Sequence, residues 1–133
     1  GSTAPQFPLA NTTERHSPSE WIAQDNITLT DNQIRITIQN PQWTTFADTN
    51  SMDPVLDKGA KGLQIIPQSH NQLQVGDIIS YSHQGKIIIH RIQEIGYDQK
   101  GWYAYTKGDN APLTDPKKIR FTQVHRVLVG IIY

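Results

Sequence analysis

The 133-residue chain predicts a mostly-β fold in a single domain, built as a coiled antiparallel sheet or a partly closed barrel. Three observations carry that prediction. From Trp21 onward, short runs rich in β-branched and aromatic residues alternate with turn signals. The stretch V-G-D-I-I-S-Y-S-H, Q-G, K-I-I-I-H-R-I-Q-E-I reads as two strands joined by a tight glycine-containing turn. No segment carries the long apolar stripe of an amphipathic helix, and no internal repeat is present.

Taken in order, residues 1–20 are rich in Pro, Ser and Thr without periodicity and read as a flexible arm ahead of a β domain over 21–133. The opening Gly1-Ser2 resembles the scar of a removed tag, so an upstream membrane anchor is left open. N-I-T-L-T, D-N-Q, I-R-I-T-I-Q reads as a hairpin. Gln42–Asp48 reads as a strand leading into Thr49–Pro54, followed by a turn or short helix before Gly59. After the glycine-turn hairpin, Gly96–Gly101 breaks the run and W-Y-A-Y-T-K resumes it. G-D-N-A-P-L-T-D-P is a long loop, and a strand-rich tail runs from Ile119 to Tyr133.

Composition narrows the function. Lys+Arg and Asp+Glu both number 12, which gives no electrostatic footprint for nucleic acid. Cysteine is absent, which removes disulfides, thiolate catalysis and Cys-type metal sites. No apolar run approaches the roughly 20 residues of a transmembrane helix. The N-x-[ST] triplets at Asn11 and Asn26 lean toward an extracytoplasmic setting.

Four residues invite a chemical reading. His90 lies in a run with Ile88 and Ile92 on its own face and Ile87 and Ile89 on the other, so it is expected inside the protein. In most β proteins such a histidine is bonded to a carbonyl; it is also the side chain best suited to exchange a proton near neutrality. Ser51, in T-N-S-M-D-P, is ordinary turn material unless a base and oxyanion donors lie in reach. Asp109 and Asp115 share one loop, and either is able to orient a histidine; calcium binding is disfavoured by the sparse carboxylate spacing. Lys86 opens its strand beside the Gln84-Gly85 turn, where a lysine is solvated and a poor base. His16, His70, His83 and His125 show no metal-ligand spacing.

Read together, Ser-Met-x-Pro, Gly-Asp-Ile-Ile, Ile-His-Arg-Ile and Lys-Gly-Asp-Asn with a trailing Asp resemble the catalytic domain of type I signal peptidases, in the archaeal and endoplasmic-reticulum branch. The resemblance spans Thr49 to Tyr133. It implies a signal-peptidase-type β fold without a cofactor or metal, with Ser51 as nucleophile and His90 as general base. Asp115 would be the third triad member and Asp109 a supporting acid. The Ser51 N–H and the Thr49 hydroxyl would form the oxyanion hole, with threonine where the family usually has serine. The implied partner is an extended signal peptide or other exported precursor, cut after small residues on the extracytoplasmic side of a membrane. Trp43 and Phe46 are expected in the core of the preceding strand, the other reading being a lipid-facing rim. The rival functions are a non-hydrolytic binding domain and a self-cleaving regulator on the same fold.

Overall fold

The computed structural model describes residues 15–45 and 51–133. Its architecture is antiparallel β throughout, in two sheets. The smaller is a hairpin of β1 (Ile27–Leu29) and β2 (Ile34–Ile36), where the sequence places one. The larger has seven strands: β3 (Gln42–Thr45), β4 (Lys61–Ile65), β5 (Ile78–His83), β6 (Lys86–Asp98), β7 (Gly101–Lys107), β8 (Ile119–Arg120) and β9 (Val124–Ile132). Their spatial order is β3-β4-β9-β5-β6-β7-β8. β3 and β8 are therefore its two edges, and the sheet does not close into a barrel.

β5 sits fourth of seven and is buried on both faces, as a Val/Ile-rich central strand should be. Ile79 and Tyr81 point into the larger core with Ile92, Trp102, Ala104 and Val127. Ile78 points the other way, into a smaller cluster with Met52, Leu56 and Leu128. Each fully buried large aliphatic side chain contributes about 1.5–3 kcal/mol. The smaller cluster underlies the turn that carries Ser51, because Met52, the next residue, is one of its members. The Leu56 amide donates to the Met52 carbonyl at 3.0 Å and closes that turn.

Gln84 (φ 51°) and Gly85 (φ 76°) form the two-residue turn between β5 and β6. Both central residues at positive φ give the backbone twist that antiparallel strands need, and glycine takes it without a Cβ penalty. β6 runs on for thirteen residues, but its two parts pair with different neighbours, and the two pairings overlap only at Arg91. Pairing with β7 begins at Arg91, opposite Lys107, whereas Lys86–His90 pair with β5 alone. The strand is thus not interior along its whole length as the apolar run implies. Ile87 is 60% exposed, and the sheet position beside His90 stands open for a loop to fill.

One strand has no counterpart in the sequence reading. β4, K-G-L-Q-I, buries Gly62 and Gln64 and leaves Leu63 and Ile65 half-buried. Its buried positions hold a glycine, a poor strand former, and a polar glutamine, so no alternation of apolar residues marks it. Trp43 corrects a second expectation. It is 57% exposed, because β3 is the sheet edge and only β4 pairs with it. Phe46 and Thr49 lie outside the described residues.

Candidate active site

The loop that fills the gap beside His90 is 108–118. Its return is fixed at the end of β7, where the Asp115 amide donates to the Thr106 carbonyl at 2.7 Å. That bond brings the Asp115 carboxylate against the His90 ring, with Nδ1 and Oδ2 2.7 Å apart. Of the two aspartates that the sequence allows at this place, Asp115 makes the contact. A carboxylate only accepts, so His90 Nδ1 carries the proton, and in the neutral ring Nε2 is left with its lone pair.

Nε2 faces the start of the same loop. A Cβ added to Gly108 would stand 3.1 Å from His90 Nε2 and 2.6 Å from the Ser51 carbonyl oxygen. The Ser51 main chain and the histidine ring therefore approach each other across a position where only glycine fits. Two further bonds hold the Ser51 turn to the loop. The Asn110 amide donates to the Ser51 carbonyl at 2.9 Å, and the Asp109 amide donates to Met52 Sδ at 3.3 Å. Ser51 is half-buried. The arrangement puts a serine, a histidine with a directed lone pair and a carboxylate in one small region drawn from three separate parts of the chain.

Asp109 is placed differently. Its side chain is 1% exposed and accepts from Arg91 twice, Nε to Oδ1 at 2.8 Å and Nη2 to Oδ2 at 2.7 Å. This bidentate pair ties the residue after His90 to the residue after Gly108. Arg91 spends its remaining nitrogen on two carbonyls, those of His16 and Gly76. Arg15 Nη2 donates to the Asp109 carbonyl at 3.0 Å. Residues 15–20, read from the sequence with the N-terminal arm, so lie across the back of the site.

A second buried carboxylate holds the same segment. Asp77, fully buried, accepts from the Ser19 amide and hydroxyl, the Trp21 indole N–H and the Gln74 amide. Gly76 leaves room for the crossing, since a Cβ there would stand 2.1 Å from the Ser17 carbonyl oxygen. The Gly-Asp-Ile-Ile motif is thus an anchor for the N-terminal segment, and neither Gly76 nor Asp77 reaches His90 through any of these bonds.

Sequence reasoning passed over Gly108, Thr106 and Tyr81. Thr106 Oγ1 donates to Asp115 Oδ2 at 2.9 Å, and Tyr81 Oη lies 2.9 Å from Thr106 Oγ1. Burial, together with the Asp115 charge, pushes the Tyr81 phenol up to about 12 despite its bond to Thr106. The strand alternation did hold a signal. Trp102, Ala104 and Thr106 share the buried face of β7, and a hydroxyl on an apolar face must find a partner.

Two of the other histidines are occupied elsewhere. His70 packs on Trp102, Tyr97 and Phe121, and His125 is bonded to Ser82. Lys86 is exposed. No helix among the described residues is long and apolar enough to cross a membrane. No protein-family model and no curated protein matches the chain.

Proposed function

We propose that this chain is a serine endopeptidase of the type I signal peptidase kind, with Ser51 as nucleophile and His90 as general base. The observation that carries the reading is the His90–Asp115 bond at 2.7 Å, which turns the Nε2 lone pair toward Gly108 and the Ser51 turn. His90 takes the Ser51 proton as the hydroxyl attacks the scissile carbonyl, and Asp115 stabilises the resulting imidazolium. His90 then returns the proton to the leaving amine, and water attacks the acyl-enzyme with the roles reversed. In this scheme the Ser51 N–H and the Thr49 hydroxyl serve the oxyanion, the two donors that the family resemblance implies. Asp109 acts through Arg91 and does not touch the reacting groups in this scheme.

The substrate is an extended peptide with small residues before the cut, presented as an exported precursor at the extracytoplasmic face of a membrane. Such a peptide pairs with a strand edge, and β3, the strand that leads toward Ser51, is an edge. The exposed Trp43, with Ile34, Leu63 and Ile132 around an apolar groove of about 550 Å³, suits work beside lipid.

Cleavage of an Ala-x-Ala peptide in detergent or lipid, followed from about pH 5 to about pH 9, tests the reading. Wild type should cut after the second Ala, and both Ser51→Ala and His90→Ala should fall to background. Equal cleavage by wild type and Ser51→Ala would remove Ser51 from the mechanism. Binding of the peptide without cleavage by any form, lipid-tethered forms included, would favour a non-hydrolytic domain.

A further inference from the structure

We infer that Thr106, oriented by Tyr81, is the positioning residue that holds Asp115 against His90. The inference rests on the peptidase reading for its consequence in catalysis, although the geometry is independent of it.

Asp115 is not held by burial. Its side chain is 32% exposed and the His90 side chain 15%. A cavity of about 200 Å³, lined by Tyr81, His83, Ile88, His90, Asp115 and Lys117 among others, opens along the pair. A carboxylate on a loop with water at its flank has several orientations to choose from, and only one sends Oδ2 to Nδ1. Thr106 removes that freedom at two points. Its carbonyl accepts the Asp115 amide at 2.7 Å, and its hydroxyl donates to Oδ2 at 2.9 Å. The same carboxylate oxygen receives the histidine.

The direction of the chain follows from valence. Asp115 offers acceptors only, so the Thr106 hydrogen goes to Asp115 and its lone pair is left for Tyr81. Tyr81 Oη, 2.9 Å away, is then the donor. With a phenol pushed up to about 12, Tyr81 remains protonated over the range in which a histidine base works. Thr106 is fully buried and Tyr81 nearly so, which fixes both rotors. Tyr81 O–H to Thr106 O–H to Asp115, met from the other side by His90 N–H, is a relay of orientation in which no proton has to move.

The charged and titratable groups that line the cavity beside the pair are Tyr81 and His83 on β5 and Lys117 on the loop. None besides Tyr81 bonds to Thr106 or Asp115 in this network.

The experiment is NMR of the full chain with ¹⁵N-labelled histidine, paired with the peptide assay. In wild type the neutral His90 ring should be the Nδ1–H tautomer, with a low-field, exchange-protected Nδ1 proton. Thr106→Val should move that proton upfield and bring it into exchange with water. Its kcat should fall about ten- to a hundredfold with KM unchanged, the scale of a lost bond to a charged group. Thr106→Ser should restore both the resonance and kcat, and Tyr81→Phe should give a smaller change of the same sign. Should Thr106→Val fail to fold with the Tyr81 hydroxyl left unpaired, Thr106→Val/Tyr81→Phe removes both hydroxyls and gives the same reading. An Nδ1 proton unmoved in these variants would overturn the inference, whatever their stability. A moved proton in a protein that cuts no peptide would uphold the relay and sink the peptidase reading alone.

Discussion

Asp109 and Asp115 lie on the same loop, six residues apart, and do opposite kinds of work. Asp109 is sealed in, with both oxygens on Arg91. Asp115 is one-third exposed and gives one oxygen to both His90 and Thr106. The first arrangement fixes backbone: Arg91 and Asp109 lock the neighbour of His90 to the neighbour of Gly108. The second fixes the His90 ring, which in the proposed mechanism gains and loses a proton. A carboxylate with no solvent and two guanidinium bonds has no spare capacity for a changing charge. The aspartate named by the tighter motif, Lys-Gly-Asp-Asn, builds the frame, and the trailing Asp meets the histidine.

The largest effect should come from Asp115→Asn. An amide keeps the shape but favours the wrong histidine tautomer, and turnover is expected to drop by roughly four orders of magnitude. The unfolding midpoint should hardly move, since a partly exposed pair contributes little to stability. A large loss of stability in that variant would erase the contrast between the two residues. Asp109→Asn should do the reverse. It leaves the Arg91 cation buried without a counter-charge, which costs about 3–5 kcal/mol in denaturant unfolding. The double variant Arg91→Met/Asp109→Leu should recover part of that loss, though Arg91 also serves the His16 and Gly76 carbonyls. No recovery would mean that the pair itself, and not the stranded charge, carries the energy.

Tyr81 sets a smaller effect with a definite sign. Its phenol ionises near 10 when unfolded and is pushed up to about 12 in the fold. The folded state thus favours the protonated form, so its contribution is fully present below pH 10 and is lost as pH rises toward 12. Tyr81→Phe should flatten the alkaline limb of stability in that window and leave the acid limb alone. The smallest effect belongs to a third aspartate, Asp98, on the surface. Bonds from Arg120 first, then Lys118, hold its carboxyl well below the usual carboxylate range. Its stabilisation is present above the ordinary aspartate range and is lost as pH falls through the lowered value. Asp98→Asn should change only the acid limb, slightly, and less still at high salt.

Much of the fold was legible because the strands that build the site are strongly patterned. The β5–β6 hairpin is announced by its isoleucine runs and by Gln84-Gly85. β4 was hidden because Gly62 and Gln64 occupy its inward face. Trp43 was misplaced because composition marks a residue as apolar without telling a centre strand from an edge. In the site, Ser51, His90 and both aspartates were legible as residue types at recognisable positions. Which aspartate meets the histidine was not, because that depends on the Asp115 amide reaching Thr106 and on where β7 ceases to flank β6. Gly108 was visible as a letter in a motif, but its reason, the approach of Ser51 to His90, exists only in three dimensions.

In the proposed mechanism Ser51 is acylated with His90 as its base. Rapid acid quench of the protein with an Ala-x-Ala ester, followed by peptide mass spectrometry, tests it most directly. An acyl adduct is expected on the peptide that contains Ser51, absent from Ser51→Ala and strongly reduced in His90→Ala. Turnover of the ester by wild type and Ser51→Ala alike, with no adduct on Ser51, would contradict it.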